Sequence, residues 1–206
     1  MLRYDDIAMA FIIVGLGNPT EEYARTRHNI GRMLVAALAQ HFKVEGWKFD
    51  KKLNAERAMV EIAGEKVSLL LPNTFMNKSG SAVGGVVKSE KAAEKLIVIY
   101  DEIDLPLGTV RIAFDRGSGG HRGVESIIKA LKTRAFIRIR VGVCPTTPGG
   151  KPKKPVGEEA VADFLLGNLG KKEDALLPEL EKRVNEAVAL LIESGREKAM
   201  NVVNQG

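Results

Sequence analysis

Leu96-Ile97-Val98-Ile99-Tyr100 runs without a polar break and is followed at once by Asp101-Glu102-Ile103-Asp104. Such a run describes a strand buried on both faces, the pattern of a partly parallel sheet covered by helices. A second run, Phe11-Ile12-Ile13-Val14-Gly15, is followed by a loop and then by Met33, Leu34, Ala37, Leu38 and His41 at helical spacing within residues 31–42. Residues 58–63 and 66–71 read as strands around a Gly64-Glu65 turn, and 109–114 and 136–143 as strands with a helix over 123–131 between them. Residues 77–88 fit a helix despite Gly80, Gly84 and Gly85, which weaken the pattern. Leu176, Leu177, Leu180, Val184, Ala187, Val188, Leu191 and Ile192 form one apolar stripe on a long helix that Gly195 stops. The order of elements predicts an α/β fold.

The 206 residues, 45% hydrophobic and 28% charged, suit one globular domain over 1–206. Apolar stretches are strand-sized, well short of the roughly 18 residues of a membrane span, so no membrane is expected. Asp5 and Asp6 argue against a secretory leader, and Met9 opens a start of its own, so residues 1–10 read as an N-terminal extension. A cytoplasmic setting follows, and the single Cys144 fits it. Cys144 reads as a small buried apolar residue, with a catalytic thiol as the alternative. Residues 144–155, rich in Pro, Gly, Thr and Lys, read as a mobile loop.

The net charge is +5, but its distribution is more informative. Arg111, Arg116, Arg122, Lys129, Lys132, Arg134, Arg138, Arg140, Lys151, Lys153 and Lys154 lie in one window, opposed within it only by Asp115 and Glu125. A positive face for a polyanion is expected there, against the plainer reading of a solvated surface.

Several residues are candidates for chemistry. Gly15-Leu16-Gly17-Asn18-Pro19 follows a strand, but Thr20 stands where a dinucleotide fingerprint needs glycine, and the helix comes late. Asn18 is left at the carboxyl end of a sheet strand, where open α/β sheets place their sites; an Asn-Pro turn is the alternative. His28 precedes the first helix, and an imidazole takes a proton from water near neutral pH if something orients it. Asp101, at the end of the buried run, is the carboxylate to do so. Asp101, Glu102 and Asp104 together also suggest ligands for a hard cation, although no companion ligands have the right spacing. Asn77 is either a helix cap or a donor and acceptor toward substrate. Gly117-Ser118-Gly119-Gly120-His121-Arg122-Gly123 leads into a helix; its amides and the Arg122 fork suit a phosphate, against a plain helix-starting loop.

Taken together, the blocks Ile13-Val14-Gly15-Leu16-Gly17-Asn18-Pro19, Tyr23-Ala24-Arg25-Thr26-Arg27-His28-Asn29-Ile30-Gly31, Pro72-Asn73-Thr74-Phe75-Met76-Asn77-Lys78-Ser79-Gly80, Asp101-Glu102-Ile103-Asp104-Leu105-Pro106 and Gly119-Gly120-His121-Arg122-Gly123 resemble the bacterial-type peptidyl-tRNA hydrolase family. A weaker likeness runs through residues 138–142 and 161–166. The resemblance implies a single α/β domain with a twisted, mixed, mostly parallel sheet, and a monomer that cleaves the ester between a peptide and tRNA, rescuing tRNA from stalled translation. It implies no cofactor and no metal. His28 corresponds to the family's catalytic histidine and Asp101 to the aspartate that orients it. Asn18 and Asn77 correspond to asparagines that position substrate and water; Tyr23, Phe75 and, secondarily, His121 belong with the substrate-contacting residues. Arg122 departs from the asparagine that familiar members carry, and arginine cannot accept a hydrogen bond, so it is assigned to binding. Arg111, Arg116, Arg138, Arg140, Lys151, Lys153 and Lys154 are the expected tRNA phosphate contacts. A catalytically inactive RNA-binding relative, or an esterase or peptidase of other specificity, are the alternatives on this scaffold.

Overall fold

The computed structural model describes residues 11–205, so the expected extension at 1–10 lies outside the described residues. The chain runs through β1 (Phe11–Gly15), single 3-10 turns at Glu21–Tyr23 and Arg27–Asn29, α1 (Ile30–His41), β2 (Lys48–Asp50), β3 (Ala55–Ile62) and β4 (Glu65–Pro72). A 3-10 turn at Met76–Lys78 leads to α2 (Ser79–Val86), α3 (Glu90–Ala93), β5 (Leu96–Pro106), β6 (Val110–Phe114), α4 (Arg122–Leu131) and β7 (Ile137–Cys144). Helices α5 (Glu158–Leu166), α6 (Lys171–Ser194) and α7 (Arg196–Val203) complete it.

The seven strands form one sheet in the order β2-β3-β4-β1-β5-β7-β6. Strands β4, β1, β5 and β7 are parallel, whereas β2, β3 and β6 add antiparallel edges. Alternate residues of the central strands feed two cores. Ile13, Leu69, Ile97, Ile99 and Ile139 meet Leu34 and Leu38 of α1 and Val184, Val188 and Leu191 of α6. Ile12, Val14, Leu70, Val98 and Phe136 meet Ala82 and Val83 of α2 and Val124 and Ile127 of α4. Burial from both sides is the reason β1 and β5 carry unbroken apolar runs, each large side chain adding about 1.5–3 kcal/mol.

Three differences from the sequence expectations have local causes. The hairpin turn is Ala63-Gly64, both at positive φ (51° and 78°), one residue earlier than expected. Strand β5 continues past Tyr100 to Pro106, because buried Glu102 is paired with Arg140 at 3.0 Å and its charge no longer ends the strand. The glycines of α2 do not weaken it: a Cβ on Gly80 would lie 2.1 Å from the Ser126 carbonyl oxygen, so this glycine permits α2 and α4 to touch. The unforeseen helix α7 leads to Asn204, whose amide both donates to and accepts from Ile112 of β6 at 2.9 and 2.8 Å, closing that sheet edge.

Cys144 ends β7 fully buried and remote from a nucleophile's setting, so the thiol alternative is set aside. The loop after it is tied by backbone bonds Thr147 to Lys151, Gly150 to Thr147 and Lys153 to Pro145 at 2.8, 2.9 and 2.7 Å. No helix among the described residues is long and apolar enough to cross a membrane.

The close approach of α1 to β5 is testable. A Cβ on Gly31 would fall 2.1 Å from the Ile99 carbonyl oxygen, whereas one on Gly84 meets only Ala130 at 3.6 Å. Chemical denaturation is expected to show Gly31→Ala destabilised by about 1–3 kcal/mol. Gly84→Ala, filling a helix interior without a clash, should be neutral or stabilising by up to about 1 kcal/mol.

Candidate active site

At the carboxyl end of β1 the backbone stays bonded to the sheet through Leu16 N–H to the Ile99 carbonyl, 3.0 Å, and then turns. Asn18 is held on three sides. Its N–H donates to Asn29 Oδ1 (2.8 Å), its carbonyl accepts from Asn29 Nδ2 (2.9 Å), and its Oδ1 accepts from the Met76 N–H (2.9 Å). With Oδ1 engaged, Asn18 Nδ2 is fixed in orientation, and no described residue accepts from it. Asn18 is therefore more than a turn former. Asn29, which pairs with it, was missed by sequence reasoning; its place beside His28 in the motif was the only signal.

His28 sits in the 3-10 turn Arg27–Asn29, and that turn is clamped from outside. Arg27 makes a two-pronged contact with Glu173 (2.6 and 2.9 Å), donates to the Phe164 carbonyl (3.0 Å) and stacks its guanidinium over the Phe164 ring at 4.5 Å. Thr26 pairs with Asn168, so α5 and the start of α6 are docked onto the turn that carries His28. Arg27 is thus a second positioning residue that sequence alone did not single out.

His28 Nδ1 lies 2.9 and 3.0 Å from the two oxygens of Asp101, which is only 2% exposed. His121 Nε2 lies 3.0 Å from Asp101 Oδ1. The proton positions follow from the surrounding partners. The Val124 N–H points at His121 Nδ1 (3.2 Å), so Nδ1 accepts and Nε2 carries the hydrogen donated to Asp101. The carboxylate can only accept, so His28 donates from Nδ1 and keeps Nε2, to which no described residue hydrogen-bonds, as the free lone pair. Burial opposes charge on Asp101, but the two imidazoles outweigh it and hold the carboxyl well below the usual range. Burial also opposes charge on His28; the charge and hydrogen bonds of Asp101 outweigh that, and its pKa stands above the ordinary value, with Arg122 pulling part of the way down.

The carboxylate-cluster reading is corrected here. Glu102 turns to Arg140 and Asp104 to Lys154, leaving Asp101 alone in the site. Among the described residues, the set with converging donor atoms is His28, Asp101 and His121, within 4.8 Å of one another. In this arrangement both imidazole contacts to Asp101 are hydrogen bonds, and a cation would have to break them.

His121 also caps α4, and Arg122 follows as that helix's first residue, its guanidinium paired with Glu158 at the start of α5. The loop before it is self-contained: Gly119 and Gly120 are at positive φ, and the His121 N–H bonds the Ser118 carbonyl at 3.1 Å. Phe75 is 55% exposed and Asn77 is exposed with no side-chain hydrogen bond to a described residue, flanking the Met76 whose N–H holds Asn18. Asn77 caps no helix, since neither the 3-10 turn at Met76 nor α2 has a side-chain cap. Tyr23 is half-buried in its own 3-10 turn, and no hydrogen bond joins it to His28 or Asp101.

The expected basic contacts divide. Arg138 is 1% exposed, stacks on Phe136 at 4.6 Å and donates to the carbonyls of Gly117 (2.7 Å) and Arg116. It is corrected from a surface contact to an anchor of the loop that presents His121. Arg140 and Lys154 are neutralised by Glu102 and Asp104, acids just outside the basic window. Arg111 bonds the carbonyl of Val110 at 3.2 Å and that of Val203 at 3.5 Å. Arg116, Lys151 and Lys153 are exposed. Arg116, Arg138 and Arg140 line a polar cleft with Tyr100, Glu102 and the backbone of Gly117 and Gly119.

Residues 12–206 match the family model described as peptidyl-tRNA hydrolase. The chain is 42% identical to the peptidyl-tRNA hydrolase of Herpetosiphon aurantiacus, covering 94% of this chain and 90% of that one. It is 38% identical to that of Aquifex aeolicus, covering 94% and 96%. It also superimposes on the crystal structure of peptidyl-tRNA hydrolase from Acinetobacter baumannii with a TM-score of 0.82 at 33% identity, covering 96% of this chain and 95% of that one. With a match that spans the sheet, the His28–Asp101 pair and the terminal helices alike, this chain belongs to the peptidyl-tRNA hydrolase family.

Proposed function

We propose that the chain hydrolyses the ester linking a peptide to the terminal ribose of tRNA, with His28 as general base. The observation that carries this reading is the buried Asp101 accepting from Nδ1 of His28 while Nε2 has no hydrogen-bond partner among the described residues. Nε2 takes a proton from water as the water oxygen attacks the ester carbonyl carbon. Asp101 stabilises the imidazolium that forms, and His121 keeps the carboxylate aligned. Asn18 Nδ2, oriented by the Met76 contact, and Asn77 are the donors for the carbonyl oxygen as it gains negative charge. The tetrahedral intermediate collapses by breaking the bond to the ribose oxygen, which receives the proton from His28. Peptide acid and free tRNA are the products. The scheme uses side chains alone and forms no covalent intermediate. Tyr23 and Phe75 are proposed to contact the substrate beside the crevice. The enzyme is proposed to work as a monomer in the cytoplasm, docking tRNA phosphates on Arg116, Lys151 and Lys153, with Arg111, Arg140 and Lys154 at the margin.

Release of the acyl group from N-blocked aminoacyl-tRNA, beside its unblocked counterpart and in chelator, tests the reading. Wild type is expected to act on the blocked substrate only, chelator is expected to leave the rate unchanged, and His28→Ala should lower kcat by about 10² to 10⁴. Binding of tRNA without release would instead fit the inactive RNA-binding alternative. The pH profile gives a second test. The base must be neutral, and its pKa is raised, so the rate should climb with pH through a limb above the usual imidazole value near 6.5. Asp101→Asn removes the carboxylate but not the burial, so the limb should move to lower pH while kcat falls; an unmoved limb would detach Asp101 from His28. With about three phosphate contacts, tRNA affinity should drop about 40-fold from ~50 to ~200 mM salt, and an affinity flat with salt would remove the electrostatic docking.

A further inference from the structure

Two elements bracket the His28–Asp101 pair. Helix α4 begins immediately after His121, which bonds Asp101, and α5 is docked through Arg27 onto the turn that carries His28. Arg122 and Glu158, the first residues of these two helices, meet in an ion pair that joins them. The pair is exposed, with side-chain exposures of 61% and 85%, and α5 has no fully buried residue. Among the described residues the Glu158 side chain has no other hydrogen bond or ion pair, and exposed ion pairs are weak. The Arg122 guanidinium is also close enough to act electrostatically on His28.

We propose that Glu158 is an internal stand-in for a substrate phosphate: its carboxylate occupies the Arg122 guanidinium in the free enzyme and yields it to the phosphodiester of the terminal nucleotide. This rests on the ester-hydrolysis reading above. A substrate whose ester lies at His28 carries its nearest negative charge one ribose away, on the phosphate attached to that nucleotide. Arg122 follows directly the histidine that bonds Asp101, and it offers the planar fork that suits phosphate as well as carboxylate. A phosphodiester replaces one anionic partner of Arg122 with another and the released Glu158 carboxylate is already 85% exposed to water, so the exchange is shallow. Arg122 therefore favours ligands with a phosphate at this position and Glu158 moderates that preference, because ligands without one leave the pair in place and gain nothing from Arg122. Asparagine at position 122 would give no such selection, since it carries no charge to be contested.

The test compares N-blocked aminoacyl-adenosine with N-blocked aminoacyl-adenosine 5′-monophosphate, at low salt and on the pH plateau. The readout is the ratio of their kcat/KM values. Wild type is expected to favour the phosphorylated ester. Glu158→Gln should raise that preference by about two- to fivefold through a lower KM, the modest range of an exposed pair. Arg122→Gln should abolish it, and Arg122→Gln with Glu158→Gln should match Arg122→Gln alone. If both single variants hydrolyse the esters with the wild-type ratio, the stand-in role is overturned while ester hydrolysis stands. If wild type releases the acyl group from neither ester nor from N-blocked aminoacyl-tRNA, the hydrolase reading itself falls.

Discussion

The carboxylate of Asp101 lies in the middle of the sheet with 2% of its surface exposed, and an anion in that position is tolerated only if donors surround it. Two imidazole N–H groups do so, His28 from 73 residues away in the chain and His121 from 20. Much of the surrounding structure serves to hold those two donors. Arg27 and Glu173 clamp the turn beneath His28, and Arg138 fastens the glycine loop ahead of His121. Because both imidazoles face the same anion, each has one defined tautomer, and His28 is left with a single basic nitrogen. The donors that make the buried anion tolerable are thereby the ones that fix the orientation of the His28 ring.

The same economy governs the positive charge. A window that reads as almost wholly basic is partly neutralised by acids that β5 brings to it, Glu102 to Arg140 and Asp104 to Lys154. The sheet face beyond α2 and α4 thus becomes a polar cleft, with Arg116, Lys151 and Lys153 at the surface carrying the excess. Net charge measured along the chain overstated what a polyanion meets, since it does not register pairing across strands.

Legibility differed from element to element for identifiable reasons. Strands β1 and β5 were readable because burial on two faces leaves a continuous apolar signature, and β4 and β7 because apolar residues still dominate around Ser68 and around Arg138 and Arg140. Helix α5 has no fully buried residue and β2 is three residues long, so neither leaves a usable period. The glycines of α2 looked like weakness because a single sequence does not reveal the Ser126 carbonyl oxygen that requires Gly80. In the site, His28, Asp101 and Asn18 could be named from residue type, position after strands and family resemblance. Asn29 and Arg27 could not, since their roles lie in whom they contact.

By itself, the sequence determined the α/β class, the central strands and which side chains are candidates for chemistry. These depend on properties local to the chain: apolar runs, spacing and functional groups. Tertiary structure alone decided that His121 is the second donor to Asp101, that Arg138 turns inward to the Gly117 carbonyl and that Arg122 faces Glu158. Each of these is a choice of partner between distant segments, and a donor's preference among acceptors is settled by packing geometry and burial, which no local pattern encodes.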